Sequence, residues 1–306
     1  MNIFTTIIPI FAVILLGWIS RKKGFIHADF IGPANSLVFY LALPAMVFSA
    51  ISRATLTAHF NTGILAITLL AAIVGFILAW ISGKTYRLKQ GQLGSYVQTS
   101  FHGNLGYIGL AVAFYYLGED GLIKASILTG FLMIVQNLLS VLSLTFNAHQ
   151  PGSAGHARTI FRNIAGNPVV LSAMAGIFFS FFSIPIPLIV QQSLDILSGL
   201  ALPMALLIIG ASISFQEARH RIKSVLSTSV IKLILMPGLG YAAYRALGFL
   251  PGDYLPGLIL LASPTATISY VMAKEMKGDP DLAVISISFS TLLSALTYTF
   301  WLNVAV

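Results

Sequence analysis

Ser100-Phe-His-Gly-Asn-Leu-Gly-Tyr-Ile-Gly109 interrupts an apolar run that extends from about Leu93 to Leu117. Gly103, Gly106 and Gly109 recur at spacing three with His102 and Asn104 among them, a composition unsuited to a plain lipid-facing helix. Glycine weakens a helix interior by about 1 kcal/mol relative to alanine, and each unpaired backbone group in hydrocarbon costs several more. The stretch therefore belongs beside protein or a water-filled cavity. A second disturbed stretch, Ala262-Ser-Pro-Thr-Ala-Thr-Ile-Ser269, stands 159 residues further on with apolar sequence on both sides. Two broken helices in corresponding positions are the pattern that builds binding sites at the midplane of carriers.

The rest of the chain agrees with a membrane setting. It has 306 residues, 57% hydrophobic and 8% charged, with a mean hydropathy of +0.89, which leaves too few charges to coat a soluble domain. Ten apolar runs are visible, each of roughly 17 to 25 residues and so long enough to cross about 30 Å of hydrocarbon. The first, Ile3 to Ser20, lacks a small-residue cleavage site and reads as a retained helix. With no cysteine, disulfides and thiolate metal sites are excluded.

The net charge of +8 has no polar domain on which to form a nucleic-acid face, so it is read loop by loop. Loops after odd-numbered spans carry 13 lysines and arginines, including Arg21, Lys22, Lys23, Lys89 and Arg221; loops after even-numbered spans carry 3, Arg53, Lys124 and Arg245. This asymmetry places odd loops in the cytoplasm and both termini outside. The remaining basic residue, Lys232, falls inside the eighth span.

Displacing the chain along itself by 159 residues lays Pro9 on Pro168, Gly17 on Gly176 and Leu41-Ala-Leu-Pro44 on Leu200-Ala-Leu-Pro203 without a gap. The expected fold is all-α and integral to the membrane: ten transmembrane helices as two five-helix repeats, residues 1–147 and 167–306, joined by a polar cytoplasmic linker over 148–166. Five is odd, so the second repeat is inverted, and spans four and nine are the broken crossing helices.

At those breaks, half-helices starting inside the bilayer would offer free N–H groups and a partial positive charge, an arrangement that favours an anion such as a carboxylate. The candidate substrate-binding residues are Gly103, Asn104, Gly106, Tyr107, Ser263, Pro264, Thr265 and Thr267, with Lys232. A lysine at that depth costs at least about 2.5 kcal/mol to insert, so it needs a partner or a cavity. It would neutralise an anion or put its ammonium where a coupling cation binds; the structural alternative is a bond to carbonyls freed by Pro237. Coupling candidates are Asp195, the one carboxylate well inside a span, Gln136, Asn137 and His102, with H+ or Na+ as the coupling ion. Gln136 and Asn137 also suit interhelical hydrogen bonding, and His102 suits a neutral hydrogen-bonding role. No pair of carboxylates shares a span and no group has metal-ligand spacing, so neither a catalytic nor a metal site is expected.

Four motifs in order, Leu41-Ala-Leu-Pro44, Gly103-Asn-Leu-Gly-Tyr-Ile-Gly109, Lys232-Leu-Ile-Leu-Met-Pro237 and Ser263-Pro-Thr-Ala-Thr267, resemble the auxin efflux carrier family, whose bacterial members include malonate and malate transporters. Ala111 stands where family members often carry proline, so unwinding in span four rests on the glycines. The resemblance implies a fold related to that of bile-acid sodium symporters, with a scaffold domain, a transport domain and substrate where spans four and nine cross. It also implies secondary active transport of a small organic anion, a mono- or dicarboxylate or auxin-like acid, by alternating access in the bacterial inner membrane. The rivals are a sodium-coupled symporter of a larger organic anion and a sensor that binds such an anion without moving it. The expected partners are that anion and the lipid bilayer, with no nucleic acid; a homodimer is compatible with the sequence.

Overall fold

The computed structural model describes residues 3–55, 59–89, 91–147, 166–215 and 218–305. Among these residues all regular structure is helical, apart from one isolated β-bridge. In chain order the helices are α1 (Ile3–Lys22), α2 (Ala28–Ser52), α3 (Thr62–Thr85), α4 (Gln92–Phe101), α5 (Leu105–Phe146) and α6 (Pro168–Phe181). They continue with α7 (Leu188–Ser212), α8 (residues 218–246), α9 (Pro251–Leu261), α10 (Ile268–Glu275) and α11 (Pro280–Ala305). Seven of them, α1, α2, α3, α5, α7, α8 and α11, are long and apolar enough to cross a membrane. At 42 residues α5 is too long for one crossing, and Gly118, at φ 73° and ψ −160°, divides it. The short helices α4, α9 and α10 are the products of the two breaks expected from sequence. The linker expected at 148–166 lies outside the described residues except for its last position.

Small residues decide how the helices approach. A side chain on Gly17 of α1 would collide with the backbone carbonyl of Leu207 in α7, and one on Gly210 with that of Ile14, so the two helices touch backbone to backbone. Gly176 of α6 lets α2 approach as well, its Cβ position 2.9 Å from the Ile51 side chain and 3.4 Å from the Phe48 carbonyl oxygen. Close approach through glycine is how helices gain van der Waals contact in lipid, where burial of apolar surface drives little association. Helices α1, α2, α6 and α7 pack chiefly on one another, and α3, α4, α5 and α8 to α11 form the other group. Phe178, Phe181 and Phe182 at the end of α6 are exposed, as expected of a lipid-facing stripe.

Three single π-helical turns, Val38–Ala42, Leu105–Gly109 and Ile231–Leu235, interrupt the α-helical ladder. The first and third precede Pro44 and Pro237 by two residues. Proline lacks an N–H and its ring presses on the carbonyl four residues back, and widening the preceding turn relieves this without breaking the helix. In α8 the carbonyl so freed, that of Leu233, accepts the indole N–H of Trp301 at 2.8 Å. Trp301 and Tyr298 read in sequence as anchors at the membrane surface; both are buried, and Tyr298 donates to the Ile259 carbonyl at 3.0 Å.

Ionic contacts fall at two ends of the molecule. Arg53–Asp195, His59–Asp120 and Lys124–Asp120 pair at 2.8, 3.0 and 3.0 Å at one end, where Lys124 also reaches the Gly252 carbonyl. Arg221 pairs with Asp279 and Asp281 at the other, where the backbone N–H of Asp279 donates to Ser95.

Candidate functional site

The two breaks meet. Gly103 and Thr265 form an antiparallel β-bridge, the N–H of Asn104 donating to the Pro264 carbonyl at 2.7 Å and that of Ala266 to the His102 carbonyl at 2.9 Å. Backbone that leaves the helix at membrane depth must find other partners, and each strand-like segment supplies them to the other. The rest come from side chains. Gln136 on α5 accepts from the N–H of Gly103 and donates to the Phe101 carbonyl, both at 3.2 Å. The N–H of Thr265 donates to Ser290 Oγ of α11 at 3.1 Å, and the Thr265 hydroxyl donates to the Thr99 carbonyl at 2.8 Å.

The C-terminal carbonyls of α9 are likewise all engaged. That of Leu258 accepts the N–H of Ala262, that of Ile259 the phenol of Tyr298, and that of Leu260 the Ser263 hydroxyl. Leu261 accepts Lys232 Nζ at 2.7 Å. Lys232 is fully buried, and among the described residues no carboxylate pairs with it. Its partner is the end of α9, while Trp301 takes the carbonyl freed by Pro237, so the alternative of a lysine bound to that carbonyl does not hold. A Cβ on Gly103 would overlap Ser263 Oγ and lie 3.2 Å from Lys232 Nζ, so a side chain there would displace groups of the crossing.

Beyond the crossing the chain resumes as a helix at Leu105 and at Ile268. The first N–H groups of a helix lack intrahelical acceptors, which gives both starts a partial positive charge. Asn104 stands immediately before the first; it is buried, and its Nδ2 has no hydrogen-bond partner among the described residues. Gly106 packs under Leu43, its Cβ position 3.3 Å from Leu43 Cδ1, which sets the Leu41-Ala-Leu-Pro44 motif against the break. Tyr107 donates to Asn35 Oδ1 of α2 at 2.6 Å. Thr267 is half-buried ahead of α10 and makes no side-chain cap.

Of the coupling candidates, Gln136 and His102 belong to the crossing. His102 is buried, its Nδ1 2.8 Å from Ser140 Oγ and its ring stacked on Phe101. Asn137 is half-buried, and its side chain makes no hydrogen bond among the described residues. Asp195 is not brought to the crossing. Its side chain is half-exposed, paired with Arg53 and accepting from Ser49 Oγ at 3.1 Å, on the rim of a cavity of about 340 Å³ between α2, α5 and α7 lined by Met46, Phe114, Leu202 and Pro203. Ser290, Ser140 and Asn35 are not singled out by sequence, and Tyr298 reads there only as a surface anchor: serines recur throughout α11, and only the packing shows which hydroxyl meets a freed backbone group.

These features define a multi-pass helical membrane protein with two unwound helices crossing at its centre, the architecture of a transporter rather than of an enzyme. A family profile described as membrane transport protein matches residues 2–157 and 156–302. The chain is 28% identical over 302 residues to a "Putative malonate transporter" of Rhizobium meliloti, covering 96% of this chain and 92% of that one. It is 23% identical over 300 residues to an uncharacterized transporter of Methanothermobacter thermautotrophicus, covering 97% and 96%. It is also 26% identical over 141 residues to auxin efflux carrier component 3 of Arabidopsis thaliana, 44% of this chain and 22% of that one. The chain belongs to the membrane transport protein family, which is that of the auxin efflux carriers. Family and relatives alike are named as transporters, not enzymes.

Proposed function

We propose that this transporter is a secondary carrier of a small organic anion, a mono- or dicarboxylate or an auxin-like acid, which binds where the two unwound segments cross and moves by alternating access. The observation that carries the reading is Asn104: a buried amide N–H with no partner, at the positive start of a half-helix and beside the Gly103–Thr265 bridge. A buried donor left unsatisfied costs about 1–3 kcal/mol, a cost that a bound carboxylate would remove. The sequence similarity to a protein named for malonate gives the substrate class a starting point.

In this reading the ten crossings form two inverted five-helix repeats. The paired glycine contacts support it: Gly17 meets the backbone of Leu207 and Gly176 that of Phe48, and both members of each pair are related by the same displacement of 159 residues. The cavity rimmed by Arg53 and Asp195 lies between the two packing groups, where relative movement would open a path. The carrier sits in the bacterial inner membrane with both termini outside, driven by an H+ or Na+ gradient.

Radiolabelled malonate, malate, lactate and indole-3-acetate offered to proteoliposomes, with proton and sodium gradients imposed separately, test this. Saturable, competable uptake of one acid is the expected result, and the gradient that accelerates it names the coupling ion. Binding without flux for every acid would sink the carrier reading and leave a sensor.

A further inference from the structure

Two half-helices run into the crossing with their carbonyl ends: α4 at Phe101 and α9 at Leu261. Each such end carries about half a unit of negative charge. Lys232 Nζ caps the second, donating to the Leu261 carbonyl at 2.7 Å, and comes near the first, 3.2 Å from the Cβ position of Gly103, two residues past the end of α4, whose Phe101 and Thr99 carbonyls go to Gln136 and Thr265. The ammonium is bonded to the end of α9 and lies near that of α4, with no carboxylate beside it among the described residues. The other C-terminal carbonyls of α9 have partners, so that of Leu261 is the one left for the lysine. Lys232 stands in the π turn Ile231–Leu235, widened ahead of Pro237.

We propose that Lys232 is a tethered cation: its ammonium fills a monovalent-cation position made by the converging carbonyl ends of α4 and α9, so that this position takes up no dissolved ion during transport. The two positive helix starts and Asn104 are then left for the anion. The proposal rests on the reading of the crossing as the binding site, but its test needs no substrate.

Removing the ammonium should expose the position to small cations. Purified Lys232→Ala, Lys232→Gln and wild-type protein are compared by thermal unfolding in detergent at constant ionic strength, in chloride salts of sodium, lithium, ethylammonium and, as a cation too large to enter, choline. The expected result is a saturable rise of at least about 2 °C in the midpoint of Lys232→Ala in sodium, lithium or ethylammonium relative to choline, with none in wild type. If Lys232→Ala is folded only when prepared in one of the small cations, that is the same result in stronger form. Two outcomes overturn the proposal: an equal response in wild type, or no discrimination from choline by Lys232→Ala and Lys232→Gln alike, including the case in which neither folds in any salt. Failure of wild-type protein to move any carboxylate would remove the carrier reading while leaving this cation response intact, so the two failures are distinguishable.

Discussion

Asn104 and Gln136 flank the same backbone break and should answer truncation in opposite ways. Gln136 supplies an acceptor to Gly103 and a donor to Phe101, so Gln136→Leu leaves two buried backbone groups unpaired, at about 1–3 kcal/mol each. The expected result is a fall of several degrees in the unfolding midpoint, with weakened transport following from it. Asn104 Nδ2 has no partner to lose. Asn104→Ala should hold its midpoint and weaken binding of the transported acid about tenfold, the equivalent of about 1.4 kcal/mol, as read by competition for uptake; unchanged affinity would remove Asn104 from the site. The sequence exposes these residues because polar groups amid apolar runs are conspicuous, and the crossing that joins Gly103 to Thr265 was legible in advance from the two disturbed stretches. Their roles were less so. Interhelical glue is the favoured reading for at least one of Gln136 and Asn137, but the sequence does not say which or with what partner, and Ser290 looks like any other serine, because a hydrogen bond between distant elements leaves no local pattern. Asp195 misled for the reverse reason: its position along α7 gave depth, but not the Arg53 that pairs with it at the rim.

At the scale of elements, proline and glycine carry most of the legible information. Pro44 and Pro237 mark two of the three π turns, and Gly17 and Gly176 mark helix contacts in corresponding positions of the first and second halves. Within α7 two glycines make contrasting predictions. Gly210 lies against the backbone of Ile14, so Gly210→Val would force α1 away, costing about 1–3 kcal/mol or more as overpacking does. Gly199 has nothing within 4 Å of its Cβ position, and Gly199→Ala should be neutral or stabilising by up to about 1 kcal/mol. Thermal unfolding of the two variants side by side checks this, and similar behaviour would mean that α1 and α7 are not packed through Gly210. Helix length is partly legible too: Ile184-Pro-Ile-Pro187 marks the end of the sixth apolar run, and α6 has 14 residues where α11 has 26.

At the scale of the whole molecule, the charges and the fold bear on the same question by independent routes. The loop counts assign Lys89 to the cytoplasm and Glu119 to the outside through the bias of lysine and arginine alone. The fold sorts the same segments by contact: Asp120 meets His59 and Lys124 at one end, whereas the N–H of Gly91 donates to the Asn147 carbonyl at the end that carries Arg221 and Asp279. Contact shows which segments share an end, and the charge bias supports the proposal that the end carrying Lys89 and Arg221 faces the cytoplasm. Because the chain has no cysteine, a single introduced thiol reports its own position without background. Glu119→Cys and Lys89→Cys, both at exposed positions, should therefore separate cleanly. In intact cells a membrane-impermeant maleimide should label Glu119→Cys at least about tenfold faster, and in inverted vesicles the order should reverse, since a charged reagent does not cross about 30 Å of hydrocarbon on the labelling timescale. Labelling of both from one face would mean that the ends assigned by contact are not opposite ends of the membrane protein. The inverse order would keep the fold and turn it over in the bilayer, placing Arg53 and Asp195 at the cytoplasmic mouth of the cavity.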